Sequence, residues 1–119
     1  MLENGIYGLY FTAPHASAPE AAEALAVLRD GKVLGSDPWG GVFAGSCEFD
    51  PAQRANKVRL QFGVPPEGTL VTGFSAGSDG AVLEIAGTVR RGGPQMTTVV
   101  EVAGALVNVQ LTYLGPLPN

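Results

Sequence analysis

The chain has 119 residues, 45% of them hydrophobic and 15% charged, with a formal net charge of −4. That length suits one domain over residues 1–119 with a core of its own, and the acidic balance argues against direct nucleic-acid binding, which wants a basic surface. No apolar run reaches the ~20 residues of a membrane span, and the acidic start "MLENGIYGLYFT" is unlike a signal peptide. One cysteine, Cys47, rules out an internal disulfide and fits a reducing compartment, so the expectation is a cytoplasmic protein with no membrane partner.

"GIYGLYF" reads as a first strand of alternating character. The loop "APHASAPE" follows, and "SAPEAAEALA" sets Ser17 three residues before Glu20 in capping-box spacing. Because "EALAVLR" must also feed a hairpin, one short helical turn is the most expected there. Asp30-Gly31 between "AVLR" and "KVLG" is the strongest hairpin signal, since both central residues of a type I′ turn need φ > 0. Next comes "VFAGSCEF", with Phe43, Gly45, Cys47 and Phe49 sharing a face.

In "KVRLQFGV", Val58, Leu60, Phe62 and Val64 oppose Lys57, Arg59 and Gln61. "LVTGF" at 70–74 precedes a turn at Gly77-Ser78-Asp79-Gly80, and "AVLEIAGTV" precedes another at Arg91-Gly92-Gly93-Pro94. "MTTVVEV", "VAGALV" at 102–107 and "VNVQLTY" complete the pattern. Eight strands, or nine, with turns every eight to twelve residues mean an all-β sandwich or an antiparallel meander barrel. Gly8, Gly35, Gly45, Gly63, Gly73 and Gly87 fall within the strands, where they mark bulges, coiling or close backbone approach of the kind a closing barrel needs. "ALAVL" (24–28), "LVTGF" and "VAGALV" read as apolar on both faces, so one face fills the interior and the other needs a cover. A homodimer supplies one.

Few motifs carry chemistry. "GFSAG" at 73–77 is a literal G-x-S-x-G, but a turn and a strand follow it instead of a helix, and the single histidine, His15, lies upstream of Ser75. Lone His15 cannot make a metal site of ordinary ligand count, and Cys47 reads as a small buried hydrophobe. The expectation is therefore no catalytic residue, no metal and no cofactor. Charge is uneven: residues 1–50 hold seven acids against Arg29 and Lys32, which could receive a basic protein partner. Trp39, between Pro38 and two glycines, is either a contact anchor or a lid over the barrel mouth.

"NGIYGLYF" followed by "AVLRDGKVLGSDPWGGVFAGSCEFD" resembles the GrlR-like family of type III secretion negative regulators. The resemblance rests on Gly5, Tyr7, Leu9 and Phe11, then Val27, Asp30, Gly31 and Lys32, then Gly35, Asp37, Phe43 and Gly45, and covers roughly the first 50 residues. Ser36 stands where that family has the second glycine of a G-G-D segment. Cys47 stands in place of an aromatic. The resemblance implies an eight-stranded, lipocalin-like barrel, dimeric, that represses by binding a DNA-binding transcriptional activator.

Two functional expectations follow. The first is a non-enzymatic regulatory binding protein whose partner surface includes Asp30, Lys32, Asp37 and Trp39, on loops at one end of the barrel. The alternative is a calyx for a small apolar molecule, lined by Tyr7, Phe11, Phe43, Phe49, Leu60, Phe62, Ile85, Val109 and Tyr113, with gaps left by Gly45, Gly87 and Cys47.

Overall fold

The computed structural model describes residues 2–12, 21–38, 40–68, 76–91, 93, 95–102 and 104–118. Eight strands follow in chain order: β1 (Gly5–Thr12), β2 (Ala21–Arg29), β3 (Lys32–Ser36), β4 (Val42–Asp50), β5 (Ala55–Val64), β6 (Ala81–Val89), β7 (Gln95–Val102) and β8 (Ala105–Gly115). Each pairs antiparallel with the next and β8 pairs with β1, which closes the sheet. The chain is thus an all-β, eight-stranded antiparallel meander barrel. A closed sheet leaves no unpaired edge, the hazard that an open sandwich must manage by other means.

The period-two pattern sets the faces. In β5, Phe62 and Val64 are buried while Lys57, Arg59 and Gln61 are exposed; in β7, Met96, Val100 and Val102 are buried against exposed Thr97, Val99 and Glu101. Asp30 and Gly31 have φ of 51° and 81°, and Arg29 pairs with Lys32 across them, so both central residues of this hairpin adopt the positive φ expected of them.

The interior holds two clusters. One gathers Phe43, Phe62, Ile85, Val100, Val107 and Val109 with their neighbours; the other gathers Leu2, Tyr7, Leu28, Cys47, Val89 and Met96. Two glycines make this packing possible. Phe43 is the cross-strand partner of Gly35, and a Cβ there would meet its ring, so the aromatic fills the space that glycine leaves. At Gly45 a Cβ would collide with the backbone carbonyl of Arg59, so β4 presses directly onto β5.

Two local expectations change. "VAGALV" is not one strand: β7 ends at Val102, β8 starts at Ala105, and these two pair across a reversal containing Gly104 at φ 87°. Glycine reaches that conformation without steric penalty, which ends the run. The helical turn anticipated in "SAPEAAEALA" gives way from Ala21 onward to β2. There, cross-strand pairing with β1 and burial of Ala24 and Ala26 outweigh alanine's helix propensity. "LVTGF" at 70–74, Ser75, His15 and Trp39 lie outside the described residues.

Candidate functional site

A meander places alternate turns at opposite mouths. The near mouth carries the start of β1, the end of β8, and the turns β2–β3, β4–β5 and β6–β7. The other mouth carries the β3–β4, β5–β6 and β7–β8 connections.

The residues before β1 fold over the near mouth. Leu2 is buried in the core and its N–H donates to Asn56 Oδ1 at 3.1 Å. Asn56, 1% exposed, donates through Nδ2 to the Val89 carbonyl at 3.0 Å. Tyr7 donates its hydroxyl hydrogen to the Glu3 carbonyl at 2.6 Å, and Asn4 exchanges hydrogen bonds with Asp30. Glu3 forms an ion pair with Arg91. Residues 2–4 therefore form a strap that shares in the core.

Beside the strap lies a cleft of about 280 Å³ lined by Leu2, Glu3, Tyr7, Arg91, Gly93, Met96 and Tyr113. Its opening follows from the β6–β7 seam. The ladder there is Ile85–Val102, Ala86–Glu101 and Gly87–Val100; nearer the mouth, the Thr98 hydroxyl donates to the Thr88 carbonyl at 2.6 Å. The Tyr7 and Tyr113 rings meet edge to face, with centroids 5.4 Å apart. Burial, the Glu3 carboxylate and Tyr113 hold the Tyr7 hydroxyl above its usual value. Burial likewise raises the Cys47 thiol, making it a poor nucleophile.

The outer wall of β1–β4 is a second feature. Ile6, Val27, Leu34 and Ala44 are successive register partners, and so are Gly8, Leu25, Ser36 and Val42, a row that continues to Gly63 and Val82. Neither row carries a charge between β1 and β4, and Leu25, Leu34, Val42 and Val82 are exposed by 56, 60, 52 and 71%. The same outward sides carry exposed Glu23 toward the far mouth and exposed Arg29, Lys32 and Glu48 toward the near one. The outer wall of β5 and β6 differs, with exposed Lys57, Arg59, Gln61 and Glu84.

The anticipated partner residues do not share a mouth. Asp30 and Lys32 sit at the near mouth, whereas Asp37 follows β3 at the far one, ~13 Å of strand away. A β-hairpin reverses direction, so the loops before and after one strand cannot meet at the same end. Asp30 is engaged by Asn4, and Asp37 Oδ1 accepts from Gly41 N–H at 2.8 Å, which closes its loop. Sequence reading overlooked the strap's anchor, Asn56. Its signal was weak: one polar residue at the start of an alternating strand.

The nine anticipated lining residues divide between the clusters. Phe43, Phe62, Ile85 and Val109 are in the first with Phe11 and Leu60 packed against it; Tyr7 and Tyr113 belong to the second. Phe49 is half-buried at the end of β4 and belongs to neither. The Arg59 backbone abuts Gly45, Val100 occupies the space over Gly87, and Cys47 is packed within its cluster.

Among the described residues, no group of three His, Cys, Asp or Glu is placed to hold a metal ion, and no helix is long and apolar enough to cross a membrane. The class of protein defined by this geometry is a small closed meander barrel with a strapped mouth and two uncharged register rows on the outer wall of β1–β4. Compared with known proteins by sequence, the chain matches no family model and no curated relative.

Proposed function

We propose that this chain is a non-enzymatic, cytoplasmic binding protein that works through its outer surface, first by pairing with a second copy across β1–β4. The observation that carries the reading is the pair of uncharged register rows spanning four strands. Their exposed side chains present on the order of 500 Å² of apolar surface, a large share of the ~800 Å² per partner in a standard interface. Charge complementarity favours a second copy as the occupant. In an antiparallel two-fold arrangement, Glu23 of one protomer faces Arg29 and Lys32 of the other, which gives an apolar centre with a paired polar rim.

The resemblance to the GrlR-like negative regulators supports a further role for the dimer: holding a DNA-binding transcriptional activator away from its task. Sedimentation velocity tests the pairing. The native chain is expected to sediment as a dimer, and Leu34→Glu as a folded monomer. Glu23→Lys should weaken the dimer, and combining it with Arg29→Glu and Lys32→Glu should restore it. A native chain that stays monomeric at micromolar concentration would refute the pairing. Affinity capture from the source cells tests the activator, since recovery of no DNA-binding protein by the dimer would refute that role.

A further inference from the structure

We infer that the cleft at the near mouth is a binding site for a small aromatic monocarboxylate. This site lies apart from the β1–β4 face and does not depend on the pairing proposed there. Its volume, about 280 Å³, is at the small end of ligand pockets, which sets the occupant at one ring with a short acidic arm.

The walls select an aromatic body. Tyr7 and Tyr113 already meet edge to face, and a third ring extends that arrangement. Met96, buried in the cleft lining, offers a polarizable sulfur to the ring, and Leu2 closes the apolar side. The tyrosine hydroxyls donate to the strap carbonyls of Glu3 and Asn4, which leaves the guanidinium of Arg91 as the polar group for a ligand's acid.

The rim selects the acid. Arg91 lines the cleft, with exposed Arg90 next in the chain, and the Glu3 carboxylate is among the groups that engage Arg91. Both members of that pair are about half exposed, at 53 and 52%, so the contact is weak and exchangeable. A ligand carboxylate held in place by the ring can take the position of the Glu3 side chain on the guanidinium, the planar group best suited to it. The strap itself stays seated, because Leu2 and Asn56 hold it independently of Glu3. Glu3 thus acts as an internal stand-in for the ligand's acid.

Amide-resolved NMR titration with 3-phenylpropionate, and with 3-phenylpropanamide as its neutral counterpart, tests the site. Shifts are expected at Glu3, Tyr7, Arg91, Gly93 and Tyr113, with the acid binding on the order of tenfold more tightly than the amide. Arg91→Gln should erase the preference for the acid while leaving the weak ring binding. Glu3→Gln should tighten acid binding several-fold by removing a competing carboxylate; a merely structural Glu3 would not do so. Both substitutions are at exposed positions, so the barrel remains folded. Absence of shifts at millimolar 3-phenylpropionate, equal affinity for acid and amide, or shifts centred on β1–β4 would each overturn the assignment.

Discussion

Leu2 and Asn56, 54 positions apart in the chain, are joined by a buried hydrogen bond from the Leu2 N–H to the Asn56 Oδ1, 3.1 Å long. Asn56 passes the link on to the Val89 carbonyl, so one side chain ties the strap to both β5 and β6. None of the described buried side-chain polar atoms lacks a partner, and Asn56 is the sole polar member of the described buried core. The near mouth is therefore closed by a polar staple inside an apolar shell.

Replacing Asn56 with Ala strands the Leu2 N–H and the Val89 carbonyl away from water. The expected loss is roughly 2–4 kcal/mol of unfolding free energy, measured by urea denaturation, because each orphaned buried group costs its full desolvation. Hydrogen exchange should also quicken at residues 2–4 in a variant that still folds. Slow exchange there after the substitution would mean that the strap is held by its apolar contact alone.

The glycines separate into two kinds. At Gly45 an added methyl would meet the rigid Arg59 backbone at 2.0 Å, whereas at Gly77 nothing lies within 4 Å. Gly45→Ala should destabilise by about 3 kcal/mol or more, since no side-chain rotation relieves a backbone collision. Gly77→Ala should stay within about 0.5 kcal/mol of the parent, as an unencumbered surface substitution does. Equal effects in urea melts would mean that β4 does not press onto β5 as described.

Alkaline pH should weaken the fold. Burial raises Cys47 above 9.0, and burial, Glu3 and Tyr113 raise Tyr7 above 10.0. Both groups are neutral when protonated, so a raised value means that the folded chain holds its proton more tightly than the unfolded chain. That contribution is fully present below the unfolded values and is lost as pH climbs through the folded ones. The urea midpoint should be level from neutral pH up to ~9 and then decline, with Cys47→Ala delaying the onset toward ~10. A midpoint that rises above pH 9 would contradict the burial of both groups.

Alternation made much of the barrel legible in advance. The inward and outward faces of β5, β7 and β8 can be read residue by residue, because a two-residue period admits no other assignment once one face is apolar. The Asp30-Gly31 turn was equally plain, since few residue pairs accept two positive φ angles. "VAGALV" misled for the same reason: an unbroken apolar run hides a reversal when its turn residues are small and apolar. The alanines of β2 were ambiguous because alanine has little preference of its own against tertiary contacts.

The sites were less visible. Glu3, Arg91 and Met96 are unremarkable in the chain, and the cleft exists only because the strap folds back and the β6–β7 ladder stops short of the mouth. The uncharged rows on the outer wall were half visible: the two-sided apolar character of "ALAVL" was plain, but its alignment with Leu34, Val42 and Val82 required the strand register.

By itself, the sequence determined a strand-rich chain with alternating faces, turns at known places, and glycines where a small sheet must coil. Those properties are local and depend on the geometry of a few neighbouring residues. Closure of β8 onto β1, the seating of Leu2 against Asn56, and the placing of Asp30 and Asp37 at opposite mouths were decided only by the tertiary structure. Each of these brings together residues or loops whose relation is set by the path of the whole chain, and that path follows from how the strands pack around a shared interior.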